Sequence, residues 1–123
     1  MRTLTIIARS LLGLTFVVFG LNAFLHFIPM PPPQGMAGDF MKALFVSHYF
    51  YVVAVLQIAG GAICLLGRFV PLGLTLVGPV IVNILLYHLF LEPSGLPLAL
   101  VVGALALFLL WINRAAFSGL IKP

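Results

Sequence analysis

The chain has 123 residues, 63% of them hydrophobic and 7% charged, with six Lys or Arg against two Asp or Glu and a net charge of +4. A water-soluble domain draws about a quarter of its residues from the charged types, so this composition excludes a soluble globular fold. The mean hydropathy of +1.29 describes a protein whose solvent is lipid, and six scattered basic residues form no patch for nucleic acid.

The length accommodates four spans of ~20 residues with short connections, a single membrane domain over residues 1–123. The first span is predicted from Leu4 to Ile28, ending at Pro29, where the stretch Met30-Pro31-Pro32-Pro33-Gln34-Gly35 cannot hold a helix. Arg2 and Arg9 ahead of an apolar stretch resemble a secretory leader. However, the stretch outruns the usual ~7 to 15 residue core and no A-x-A pattern follows, so it reads as a retained span. Residues 37–47, with Asp39 and Lys42 among apolar neighbours, read as a short interfacial helix. The second span runs from His48 to Gly67, where Gly67 and Arg68 stop the helix. A third covers Phe69 to Phe90, and a turn at Glu92-Pro93-Ser94-Gly95 leads to the fourth, Leu98 to Phe117. The predicted fold is therefore all-α, an integral membrane four-helix transmembrane bundle.

Orientation follows from the positive-inside rule. Arg2, Arg9, Arg68, Arg114 and Lys122 share the side of the termini, against Lys42 alone on the other. This places both termini in the cytoplasm. Small residues at Gly13 and Gly20, Gly60 and Cys64, and Ala99 and Gly103 offer close helix approach, and Pro79 in mid-span is expected to kink its helix and open space beside it. Cys64, the single cysteine, excludes disulfides and reads as a small packing residue. Arg9, Trp111 and Arg114 read as anchors at the inner surface.

Asn22, Gln57 and Asn83 sit inside spans where an unpaired amide is costly. They lie about six, nine and seven residues from the outer helix ends, which at ~1.5 Å per residue is a common depth of ~9 to 14 Å. His26 is one turn above Asn22, and Tyr87 one turn above Asn83. Two readings follow: the amides bond helices to one another, or they line a pocket open to the outer face whose polar rim and apolar interior suit a quinone or a lipid. His26, His48 and His88 all fall near the outer surface. They read as water-contacting side chains or proton carriers beside a ligand, and no local ligand spacing supports a metal. Glu92 is a loop carboxylate that can pair with a histidine. No catalytic triad, phosphate loop, Cys-x-x-Cys or haem motif occurs, and no metal, flavin or haem is expected.

Ala8-Arg9-Ser10-Leu11-Leu12-Gly13 through Val18-Phe19-Gly20-Leu21-Asn22, then His26-Phe27 and the Met-Pro-Pro-Pro loop, resemble the opening of the DoxX family of small four-helix membrane proteins. Leu56-Gln57-Ile58-Ala59-Gly60-Gly61, Leu65-Leu66-Gly67-Arg68-Phe69-Val70-Pro71, Val82-Asn83-Ile84 and His88-Leu89-Phe90-Leu91-Glu92-Pro93 extend the resemblance over essentially the whole chain. It implies an inner-membrane protein acting as an accessory subunit in quinone- or thiol-linked redox chemistry, as in the small subunit of a thiosulfate:quinone oxidoreductase. The family often carries an acidic residue before the paired glycines, where this chain has Gln57. In this expectation Asn22, Gln57 and Asn83 hold a head group, Tyr87 orients it, and His26 or His88 exchanges protons. Electrons would come from a redox partner protein. The alternatives are a scaffold or anchor assembling partners or a homo-oligomer through its glycine faces, and a lipid or small-solute transporter.

Overall fold

A computed structural model describes residues 1–122, and it is an all-α four-helix bundle with a short helix between its first two spans and short helical turns after its last. The elements are α1 (Arg2–Leu25), α2 (Gly35–Val46), α3 (Tyr49–Leu66), α4 (Val70–Phe90) and α5 (Leu96–Ile112), the last preceded by a 3-10 turn at Pro93–Gly95. All but α2 belong to segments long and apolar enough to cross a membrane. α1 packs on α3, α3 on α4, α4 on α5, and α5 returns to α1, which closes the ring. Neighbours in the ring run antiparallel, so both chain ends lie at one end of the bundle and α2 lies at the other.

The element boundaries correct the sequence reading in three places. α1 stops at Leu25 and not at Ile28, because His26 adopts a left-handed conformation (φ 52°) and its N–H closes on the Asn22 carbonyl. α2 begins at Gly35, ahead of the expected Ala37. The fourth span begins at Leu96 and ends at Ile112, where the Asn113 Nδ2 group donates back to the Leu109 carbonyl at 2.8 Å and a separate helical turn follows at Arg114–Phe117. Prolines at the first turns of α4 and α5 occupy positions whose N–H groups have no partner within the helix.

Lipid offers helices little hydrophobic drive to associate, so close backbone approach must supply much of it. The paired glycines of α3 do this on two sides at once. A methyl group on Gly61 would lie 2.8 Å from the Gly13 carbonyl oxygen on α1, while one on Gly60 would lie 3.1 Å from the Gly73 carbonyl oxygen on α4. Gly20 likewise opens α1 to the Ala54 carbonyl. Around these contacts Leu12, Phe16, Val77, Ile81 and Leu109 fill the bundle axis. The outside is inverted relative to a soluble protein: Leu14, Val52, Leu66, Leu72 and Leu107 are each more than half exposed, a continuous apolar surface that only lipid or another membrane protein can cover. Buried Cys64 packs its Sγ against Gly73.

Arg9 does more than anchor. Its Nη1 group donates to the carbonyls of Leu65 (2.8 Å) and Cys64 (3.3 Å), the unpaired end of α3. The cation meets the negative end of the helix dipole while satisfying acceptors that the helix leaves open. Gly67, in the left-handed region at φ 78°, ends α3 and leaves the guanidinium its space.

Candidate functional site

At the end remote from the termini, aromatic side chains from four helices form a belt. Phe24 of α1 stacks on Tyr51 of α3 at 5.0 Å, Phe45 of α2 on Phe50 of α3 at 4.7 Å, and Phe40 of α2 leans on Tyr87 of α4 at 5.8 Å. Such rings favour the membrane–water boundary and hold α2 across the bundle end. The belt was readable only as composition, since its members come from different helices and meet through the fold.

Within this frame the three carboxamides diverge. Asn22 is buried and works locally: its Oδ1 accepts the Ile28 N–H at 2.7 Å and its Nδ2 donates weakly to the Ile28 carbonyl at 3.5 Å, tying down the chain after α1. Gln57 is 5% exposed, inside the bundle, and its Oε1 has no hydrogen-bond partner. Asn83 faces outward, and its Nδ2 donates to the Pro79 carbonyl one turn below at 2.8 Å. The expected single pocket with all three amides is therefore corrected. They do not share a direction, and with α1 ending at Leu25 Asn22 lies three residues from its helix end, against eight for Gln57 and seven for Asn83; a helix in lipid can turn an amide outward when its own backbone supplies a partner.

What the structure does bring together is Asn83 and Tyr87. With Phe40, Leu86, Phe90 and Leu91 they line a groove of about 320 Å³ between α2 and the outer part of α4. The carbonyl of Pro79 can only accept, so it fixes the Asn83 amide with its nitrogen toward the backbone and leaves Oδ1 for an outside donor. The groove thus combines aromatic walls with an amide oxygen and a phenol hydroxyl, one helical turn apart. Space beside the mid-helix proline also exists, at Gly78, where a methyl group would meet nothing within 4 Å; α4 itself continues across Pro79.

The histidines do not converge. His26 and His48 are exposed and occupy left-handed junctions, at the end of α1 and the start of α3. His88 is half-buried, its ring lying over Gly95 and edge-on to Tyr87 at 5.1 Å. Its Nδ1 pairs with the Glu92 backbone carbonyl at 3.0 Å, so in the neutral ring Nδ1 carries the proton and Nε2 the lone pair. The expected pairing of a histidine with the Glu92 carboxylate is replaced by this backbone contact, and the carboxylate instead accepts from the Ser94 hydroxyl. Among the described residues no group of three or more His, Cys, Asp or Glu side chains is placed to hold a metal ion. At the opposite end Arg114 lies over the Trp111 ring at 4.8 Å and donates to the Trp111 carbonyl.

Comparison of the chain with protein-family models, with curated proteins and with solved structures finds no match. The fold itself defines a class, a small helical bundle whose four long helices are apolar enough to span a membrane.

Proposed function

We propose that this chain is a DoxX-like accessory subunit of a membrane redox system, linked to quinone or thiol chemistry, that holds a lipid-soluble ring-bearing ligand between α2 and α4. The observation that carries the reading is the pairing of Asn83 and Tyr87 on a groove walled by Phe40 and Phe90 and open to the lipid phase. Aromatic faces suit an offset-stacked ring, while an amide oxygen and a phenol can orient its polar substituents. The polar atoms bind and position; electron transfer falls to a partner subunit, because the sequence carries no flavin, haem or iron-cluster motif. His88, adjacent to Tyr87 with a free Nε2, is the group best placed to exchange a proton between the groove and water. Asn22, Gln57 and His26 have no part in this version of the site.

In a plasma membrane, the five-to-one distribution of basic residues supports cytoplasmic termini, which opens the groove at the outer leaflet. The scaffold alternative uses glycine faces, of which Gly13, Gly20, Gly60, Gly61 and Gly73 are taken up by contacts within the bundle, whereas Gly78 meets nothing within 4 Å. Transport through the bundle gains no support from an axis filled by Leu12, Val77 and Leu109, each fully buried.

The test is purification from native membranes followed by extraction and mass identification of bound lipid-soluble compounds. The expected result is a co-purifying quinone, lost from Asn83→Leu and depleted in Tyr87→Phe while helix content is unchanged. Absence of any ring-bearing compound, or its full retention by both variants, overturns the reading.

A further inference from the structure

The α2–α4 groove is unevenly supplied with hydrogen-bond donors and acceptors. The backbone N–H groups of its lining residues are committed: those of Phe40, Asn83, Leu86, Tyr87 and Phe90 lie inside helices, and that of Leu91 closes on the Tyr87 carbonyl at 2.8 Å. Asn83 gives one of its two Nδ2 N–H groups to the Pro79 carbonyl. Two donors remain, the second amide N–H and the Tyr87 hydroxyl.

Acceptors are more plentiful. The Asn83 Oδ1 has two lone pairs and the Tyr87 oxygen accepts as well. Phe90 and Leu91 stand at the last turn of α4, where helix carbonyls outnumber the N–H groups that can reach them. The Tyr87 carbonyl alone takes two of those groups, from Leu91 and, at 3.0 Å, from Glu92, and Pro93, next in the chain, has none to give. The groove therefore meets the negative end of the α4 dipole.

This rim distinguishes two oxidation levels of one ring. A quinone oxygen only accepts. It can take the spare amide N–H or the Tyr87 hydroxyl, but it leaves Oδ1 unpaired in a lipid-facing groove, where an unmade bond is costly, and it turns its own lone pairs toward the negative helix end. A ring hydroxyl does both jobs, accepting from Tyr87 and donating to Oδ1. An ammonium group would also satisfy these acceptors, yet a formal charge is expensive at Asn83, seven residues inside the end of α4.

We infer, resting on the ligand site proposed above, that the groove selects the reduced, hydroxyl-bearing form of its ring ligand, a quinol, over the corresponding quinone, and that the Asn83 Oδ1 is the acceptor that tells them apart. Because a quinol released into air oxidises, a compound recovered from membranes reports the ring and not the form in which it was bound.

The experiment measures binding of three probes with the same decyl tail, a benzoquinol, its benzoquinone and the dimethyl ether of the quinol, to the full chain in nanodiscs under argon, with binding to empty nanodiscs subtracted. The quinol is expected to bind about tenfold more tightly than either of the others, the worth of one hydrogen bond made where it is otherwise left unmade. The ether keeps the ring, the tail and the oxidation level and lacks only the O–H. Asn83→Leu should bring the three affinities together, whereas Tyr87→Phe should weaken the quinone and the ether, which lean on its hydroxyl, at least as much as the quinol. Circular dichroism verifies that both variants are folded, and the comparison of the three probes on the wild-type chain needs neither. A quinone or an ether that binds as tightly as the quinol overturns the inference while leaving the groove a ligand site, and so does an unchanged preference in folded Asn83→Leu. Absence of saturable binding by all three probes overturns the proposed ligand site along with it.

Discussion

Gly13 on α1 and Gly61 on α3 face each other so closely that a methyl group on either would press into the carbonyl oxygen of the other, at 2.5 Å and 2.8 Å. The contact holds backbone against backbone, and there is no flexible side chain to yield. Gly13→Ala and Gly61→Ala should therefore each destabilise the bundle by about 1–3 kcal/mol, the usual cost of overpacking. Gly78→Ala, with nothing within 4 Å, should be neutral or gain about 0.5–1 kcal/mol from helix propensity. Unfolding in mixed micelles of increasing denaturing detergent, followed by circular dichroism, ranks the three.

Arg9 and Gly67 form a coupled pair. A methyl group on Gly67 would meet the Arg9 guanidinium at 2.7 Å, and the φ of 78° disfavours any side chain there. Gly67→Ala should lose both the turn geometry and the bonds from Arg9 to the end of α3. Arg9→Ala alone should cost about 1–3 kcal/mol by leaving the Cys64 and Leu65 carbonyls without that donor. In the Arg9→Ala background, Gly67→Ala should cost only the left-handed strain, about 1–2 kcal/mol. A double-mutant cycle with additive effects would contradict this coupling.

Asn22 and Gln57 are both buried amides, yet their substitution should have opposite signs. Asn22→Leu removes the acceptor for the Ile28 N–H and should destabilise by about 1–2 kcal/mol. Gln57→Leu removes an Oε1 with no partner and should be neutral or stabilising by about 1 kcal/mol, since no hydrogen bond is lost with it. Comparison of detergent-unfolding midpoints checks the pair, and a larger loss for Gln57→Leu would contradict the assignment.

The contrast between these amides shows what the sequence could reveal. Span number, the existence of the short helix α2 and most boundaries were legible because Pro29, Gly67 and the Glu92 turn punctuate apolar runs. The early end of α1 was not, since a left-handed His26 has no compositional signal. Depth was countable for Gln57 and Asn83 along their helices, but not for Asn22, whose helix ends three residues on at Leu25. Direction was not legible: in lipid the outer face is as apolar as the inner, so the helical period that separates core from surface in soluble proteins is weak. Glycine spacing similarly marked Gly13, Gly20 and Gly60 as packing positions but could not show that Gly60 and Gly61 serve different neighbours. Of the candidate site, the Asn83–Tyr87 stripe was readable from its four-residue spacing, whereas Phe40 enters only through the position of α2.

Photo-crosslinking with an azido-quinone in vesicles tests most directly the proposal that a ring-bearing, lipid-soluble ligand sits between α2 and α4. Peptide mapping should place the adduct on Phe40, Tyr87 or their groove neighbours Leu86, Phe90 and Leu91, with labelling suppressed by excess unmodified quinone and by Asn83→Leu. Labelling spread evenly over the outward faces of α1, α3 and α5, unaffected by competitor, would contradict the account.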